Sequence, residues 1–188
     1  NEAQHLIRYA LAATLSSNIG LYGPVYEFME SDPVPGKEEY MNSEKYQIRH
    51  WDWNTDNKLI RLISKINSAR KQHTALQQTN NIRFCDIHNE GLIAFYKWDE
   101  GFKNEILVVI SLDPYYKQAG SLRLPYELMN LAPGSELTLK DVITQLEPAL
   151  FKKVTGIEVF EFVQLLSLGL MNDALMNDAV FAFKRFVF

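Results

Sequence analysis

The chain has 188 residues, too few for a complete (β/α)8 barrel, which takes about 250, but enough for one large domain or two small ones with a real core. Its 19 Lys and Arg against 23 Asp and Glu give a formal charge of −4 with no basic run, so a nucleic-acid partner has no electrostatic footprint. Apolar residues at 47% exclude a disordered chain, and a single cysteine, Cys85, excludes an internal disulfide and a cysteine-based zinc cluster.

One thiol fits a reducing compartment. The N-terminal stretch lacks the basic region and continuous apolar run of a secretory signal, and the most apolar window, Val154 to Met171, carries Glu158 and Glu161. The expectation is a cytoplasmic protein without membrane contact.

In chain order, Leu6, Ile7, Ala10, Leu11 and Thr14 recur at helical spacing and predict a helix with one buried face, ending near Ser16-Ser17-Asn18. Asn18 to Tyr22, bounded by Gly20, Gly23 and Pro24, predicts a short buried strand running into a tight turn. Residues 27–56 hold Pro33, Pro35, Gly36 and many charges without a sustained period. Loops this long inside compact domains are functional or disordered. The aromatics Tyr40, Tyr46, Trp51 and Trp53 favour an ordered, functional one. Residues 57–76 return to helical spacing through Leu59, Ile60, Leu62, Ile63, Ile66 and Ala69, with Asn54, Thr55 or Asp56 as the N-cap.

After a polar break at Gln77 to Asn81 the pattern changes to β-like runs at 82–87, 91–98, 105–112 and 121–125, with a further strand at Glu136 to Thr144. Their links carry turn chemistry: His88-Asn89-Glu90-Gly91, Asp99-Glu100-Gly101 and Asp113-Pro114. An antiparallel sheet or sandwich follows, as a second domain. The last forty or so residues mix apolar stretches readable as helix or strand, ending in helix-like runs. The five residues Leu170 to Ala174 recur at once as Leu175 to Ala179, which is too little for a repeat architecture.

No nucleophile elbow, HExxH, P-loop or GxGxxG motif is present, and His5, His50, His73 and His88 are dispersed without ligand spacing, so no metal or cofactor is expected. Lys45 beside Tyr46 is different. An ammonium next to a phenolic hydroxyl can hold an anionic oxygen, such as a phosphate, beside a sugar. Equally, Ser43-Glu44-Lys45 reads as a solvated charged turn.

The stretches at 12–53, 57–77 and 106–120, with YGP, PGKEEY, SEKYQIR and SLDPYY in that order, resemble the C-terminal part of the α-1,4-glucan:maltose-1-phosphate maltosyltransferases, of the α-amylase clan of glycoside hydrolases. The resemblance covers about residues 5–145. It implies an α/β plus β architecture: the C-terminal segment of a (β/α)8 TIM barrel followed by an antiparallel β-sandwich-like domain. Residues 1–78 would close the barrel, with Asn18 to Tyr22 as its eighth strand, 24–56 as the following loop and 57–76 as the last helix. Residues 79–145 would form the sandwich, and 146–188 depart from the family as a tail of uncertain structure. Phosphate sites in such barrels are often built from the loops after strands 7 and 8. The resemblance accordingly implies that Lys45 and Tyr46 contact the phosphate of maltose 1-phosphate, the donor for extending an α-1,4-glucan. It places the catalytic carboxylates upstream of Asn1, assigns no catalytic role inside this chain, and leaves Glu27 and Glu30 as loop or barrel-rim residues. The chain alone should be inactive and should need the remainder of the barrel or a second copy as partner, the family being homodimeric. The alternative is a non-catalytic carbohydrate-binding or interaction module using Tyr40, Tyr46, Trp51, Trp53, Tyr115 and Tyr116 as stacking platforms, against a background reading of these aromatics as packing residues.

Overall fold

In the computed structural model, residues 2–41, 48–116, 118, 120–129, 137–143, 160–161 and 179–185 are described. The first helical stripe forms α1, Glu2–Leu15, which buries Leu6, Tyr9, Ala10, Ala13 and Thr14. The second forms α3, Lys58–Gln72, burying Leu59, Leu62, Ile63, Ile66 and Ala69, and a 3-10 turn at Thr74–Gln77 continues it. Between them lies the one-turn helix α2, Gly23–Glu27, with Pro24 in its first turn, where the missing N–H costs nothing. The residue that starts α3 is Asn57, not the expected Asn54, Thr55 or Asp56: its Oδ1 accepts from the Ile60 N–H at 2.7 Å. Only an extended residue three positions before a free helical N–H can do this, and Asn57 alone is in that register.

Strands follow in the order β1 Ile82–Phe84, β2 Asp86–Ile87, β3 Leu92–Trp98, β4 Glu105–Ser111, β5 Ser121–Arg123, then, after the four-residue helix α4 (Tyr126–Met129), β6 Leu137–Asp141, β7 Phe160–Glu161 and β8 Ala179–Arg185. They make a five-stranded sheet, β1-β3-β4-β8-β6, and a three-stranded one, β2-β5-β7, with every pairing antiparallel. The expected single strand at 82–87 is broken at Cys85, because its two halves serve different sheets: Phe84 pairs with Phe95 and Asp86 with Arg123. The helix-like end of the tail is also corrected, since Ala179–Arg185 is a strand lying between β4 and β6. An apolar run without polar alternation is ambiguous by period alone, and a place between two neighbours settles it as β.

All seven residues of β4 are buried. Ile106, Val108 and Ile110 join Phe95 in a core with α1 and α3, while Leu107 and Val109 join Ala94, Tyr96, Cys85, Leu122, Leu124 and Met129 in a second core on the other face. The hairpin joining β3 to β4 is tied to the helical side: Asp99 Oδ2 accepts from the Thr74 hydroxyl at 2.8 Å and Asn104 Oδ1 from the Ala75 N–H at 3.1 Å. Gly101 takes φ +79° in that turn, a conformation that costs glycine nothing.

No strand forms at Asn18 to Tyr22, contrary to expectation. A strand exists only through hydrogen bonds to neighbours, and among the described residues this segment joins no ladder. It is instead anchored at its start. The last carbonyls of a helix have no internal partners, and at the end of α1 two cations supply them. Arg70 donates to the carbonyls of Ala13, Ser16 (3.0 Å) and Ser17 (2.7 Å). Lys97, fully buried on β3, donates to those of Thr14 (3.2 Å) and Gln78 (2.7 Å). Positive charge is favoured at this end of the helix dipole. Among the described residues no helix is long and apolar enough to cross a membrane.

Burial, with a smaller contribution from the charge of Arg70, pushes the Lys97 ammonium down to about 8. Unfolded, it titrates near about 10.4. Between those values the unfolded chain holds a proton that the folded chain has released, so this group makes stability rise with pH across that window. In urea titrations at fixed ionic strength, the stability of the parent relative to Lys97→Met should therefore grow from pH 8 to pH 10. A difference that stays constant would show that the ammonium is solvated.

Candidate functional site

The segment between α2 and α3 is held by hydrogen bonds and rings at both ends. At its start, the Tyr26 hydroxyl donates to the His5 carbonyl at 2.5 Å, and the two rings meet edge-on at 5.2 Å. Burial raises the Tyr26 phenol above its ordinary range, partly offset by the charge of Arg8. At its end, Asn57 caps α3 and also donates through Nδ2 to the Glu27 carbonyl at 3.1 Å, which fixes where the loop leaves and returns.

The first excursion is a small hairpin. Pro35 and Gly36 take the two central places of a turn closed by the Lys37 N–H on the Val34 carbonyl at 3.0 Å, and Gly36 has φ +74°. Proline followed by a glycine at positive φ is the requirement of a type II turn. The Val34 N–H donates to the Glu39 carbonyl at 2.8 Å and the Met41 N–H to that of Asp32 at 2.7 Å, with a bridge between Pro33 and Tyr40. This geometry stacks Tyr40 on Tyr22, with centroids 6.4 Å apart.

The returning arm brings Arg49, Trp51 and Trp53 to the outgoing one and turns at its end, where the Trp53 N–H donates to the Trp51 carbonyl at 3.1 Å and the Thr55 N–H to that of Asp52 at 3.0 Å. Trp51 stacks on Phe28 at 5.1 Å and Trp53 meets the same ring edge-on at 6.4 Å. The Arg49 guanidinium lies 4.2 Å from the Trp51 ring centre and donates to Glu30 Oε1 at 3.0 Å. The Arg49–Glu30 pair and the Trp51–Phe28 stack thus join the two arms, and the cation over the Trp51 face ties these two links together.

Of the residues expected to act, Lys45 and Tyr46 lie outside the described residues. Tyr40 and Trp51 are in this loop with one face each committed to a neighbouring ring, and Trp53 is 68% exposed. Tyr115 and Tyr116 are elsewhere, on the turn after β4, and are exposed. The braces that hold the loop, Tyr22, Phe28, Glu30, Arg49 and Asn57, were not expected as a group. The aromatics Trp51 and Trp53 were the available signal; the partners on the outgoing arm carried none, because they meet only when the loop closes. Among the described residues no group of three His, Cys, Asp or Glu could hold a metal ion.

Residues 84–148 match the family described as "GLGE, C-terminal". The chain is 40% identical over 150 residues to the α-1,4-glucan:maltose-1-phosphate maltosyltransferase of Chlorobaculum tepidum, a match covering 77% of this chain and 22% of that protein. It is 41% identical over 138 residues to the enzyme of the same name from Methylacidiphilum infernorum, covering 73% and 20%. With that of Salinibacter ruber it shares 40% over 139 residues, covering 74% and 21%. The chain spans about a fifth of the length of these relatives.

Because Arg49 is the cross-brace of the loop, Arg49→Ala should cost about 1 kcal/mol or less in global stability, since its carboxylate partner is partly solvated. Locally it should speed limited proteolysis between residues 28 and 56 and red-shift tryptophan emission; unchanged cleavage would mean that the loop is held by other contacts.

By the match of its β region and by its identity to these enzymes, the chain belongs to the α-1,4-glucan:maltose-1-phosphate maltosyltransferase family, as a C-terminal part of it.

Proposed function

We propose that the chain is the C-terminal part of an enzyme that transfers maltosyl units from maltose 1-phosphate to the ends of α-1,4-glucan chains, releasing phosphate. The observation that carries this reading is the braced loop between α2 and α3. Its two arms, braced to each other, carry the PGKEEY stretch and Arg49, the last residue of SEKYQIR, in a chain whose relatives bear that name. In this reading residues 1–78 close an amylase-type barrel, residues 79–145 form its β-rich C-terminal domain, and 146–188 diverge. The protein is cytoplasmic.

Lys45 and Tyr46 carry the chemistry proposed for this part. As the bond from the anomeric carbon to the phosphate oxygen breaks, negative charge grows on the departing phosphate. An ammonium and a hydroxyl fixed beside it lower that barrier because they bind the leaving group more strongly in the transition state than in the ground state. The retaining mechanism of such enzymes needs a nucleophilic carboxylate and an acid/base carboxylate. We assign neither to this chain and place both in the preceding barrel, so the remainder of the barrel, or a second copy that brings it, is the expected partner of α1 and α3.

Incubated with maltose 1-phosphate and glycogen, the 188-residue chain alone should release no phosphate; turnover by it would overturn the placement of the carboxylates. In a polypeptide that includes the preceding barrel, Lys45→Ala should lower kcat by about 100-fold or more, the usual effect of removing one group that stabilises transition-state charge. Unchanged phosphate release would remove Lys45 from the site.

A second reading, a carbohydrate-binding module without catalysis, draws on Tyr115 and Tyr116, which are exposed on the turn after β4.

A further inference from the structure

Where β4 ends, the chain turns sharply through Leu112, Asp113, Pro114, Tyr115 and Tyr116. Asp113 organises the turn: Oδ1 accepts from the N–H groups of Tyr115 (2.8 Å) and Tyr116 (3.1 Å), and Oδ2 from the Gln118 side chain (2.7 Å). These backbone donors hold the Asp113 carboxyl below the usual carboxylate range. Gln118 in turn accepts from Asn89 at 3.1 Å, Asn89 Oδ1 accepts from the Gly91 N–H at 2.7 Å, and the Gly91 carbonyl receives the Leu112 N–H at 2.8 Å. The two loops are in close contact, since a Cβ on Gly91 would lie 3.1 Å from the side chains of Asn89 and Gln118.

This braced turn displays Tyr115 at 72% and Tyr116 at 74% exposure, with Leu112 at 42% beside them. A single exposed apolar residue means little, but a contiguous apolar group on a rigid support is the form of a binding surface. The support matters energetically. A tyrosine has two side-chain torsions, and its backbone is already ordered here, so binding loses little entropy. Among the described residues, the turn presents two rings with hydroxyl tips, with the side-chain amides of Asn89 and Gln118 behind it and the Asp113 carboxylate engaged by three donors. Aromatic faces with hydroxyl tips suit a ligand with apolar CH faces and hydroxyl edges, a pyranose chain.

We propose that Tyr115 and Tyr116 form a platform on which an α-1,4-glucan chain docks, on the connection after β4 and not in the loop between α2 and α3. The choice of an α-1,4-glucan rests on the function proposed above; the platform rests on the turn. Held there, a polymer would stay near the enzyme between transfers, raising the effective concentration of its ends.

The test uses the 188-residue chain in native gels containing glycogen, and calorimetry with maltoheptaose. The parent should be retarded by glycogen. Tyr115→Ala and Tyr116→Ala should each weaken the maltoheptaose Kd by up to about tenfold, the worth of one aromatic contact, and the double variant should run unretarded. The corresponding Phe variants should keep most of the binding, and a denaturant midpoint equal to the parent's would show that the alanine variants are folded. The proposal is overturned if the parent is not retarded, or if the double alanine variant still is. It is equally overturned if that variant changes only the sedimentation of the chain, which would make the turn a contact between copies. Glucan binding intact in the double alanine variant, with phosphate release lost in Lys45→Ala of a polypeptide that includes the preceding barrel, would remove the platform and leave the transferase reading standing.

Discussion

β4 has no face left for solvent, and this constraint organises the structure around it. A strand buried on both sides needs a layer above and a layer below. Helices α1 and α3 supply one through Leu6, Ala10, Leu59, Leu62 and Ile66, and the residues around β5, Leu122 and Leu124, supply the other. Its two edges are likewise occupied, by β3 and β8. Removing apolar area of this extent from water is the main favourable term in folding, and here it ties the helical part and the β part to a single strand.

The joint between those parts is polar as well as apolar. Lys97 sits on the helical face of β3, where a hydrophobic residue would continue the pattern of Ile93 and Phe95, and it meets the exposed carbonyls at the end of α1. Arg70 from α3 reaches the same helix end. Two buried or half-buried cations so close together would repel, and each is tolerated because several carbonyl dipoles surround it. The consequence for the site is positional: the chain leaves α1 at a fixed point, and the segment that leads into α2 and the loop starts from there.

The sequence made much of the secondary structure legible. Both long helices follow from periodicity, and β3, β4 and β6 from β-like runs set between turn residues, because these depend on local sterics and on which residues are apolar. The failures share one cause. Asn18 to Tyr22 has the composition of a strand but joins no ladder; 82–87 is one apolar run that divides between two sheets at Cys85; Ala179–Arg185 reads as helix or strand until β4 and β6 lie beside it. In each the deciding partner is remote in sequence. The site shows the same division. Trp51, Trp53 and Tyr40 stand out in the sequence, while Phe28 and Glu30 become braces only when the two arms of the loop meet.

The order of motifs alone, YGP, PGKEEY, SEKYQIR and SLDPYY, was sufficient to indicate the family, since residue identity in register is information the chain carries without folding. What only the tertiary structure decided is which of these residues have spare surface. Tyr96 and Tyr115 are the same side chain nineteen positions apart by number, yet one is fully buried against the second core and the other stands in solvent on a turn held by Asp113. Exposure depends on what packs against a residue from elsewhere in the chain, and no local pattern encodes it.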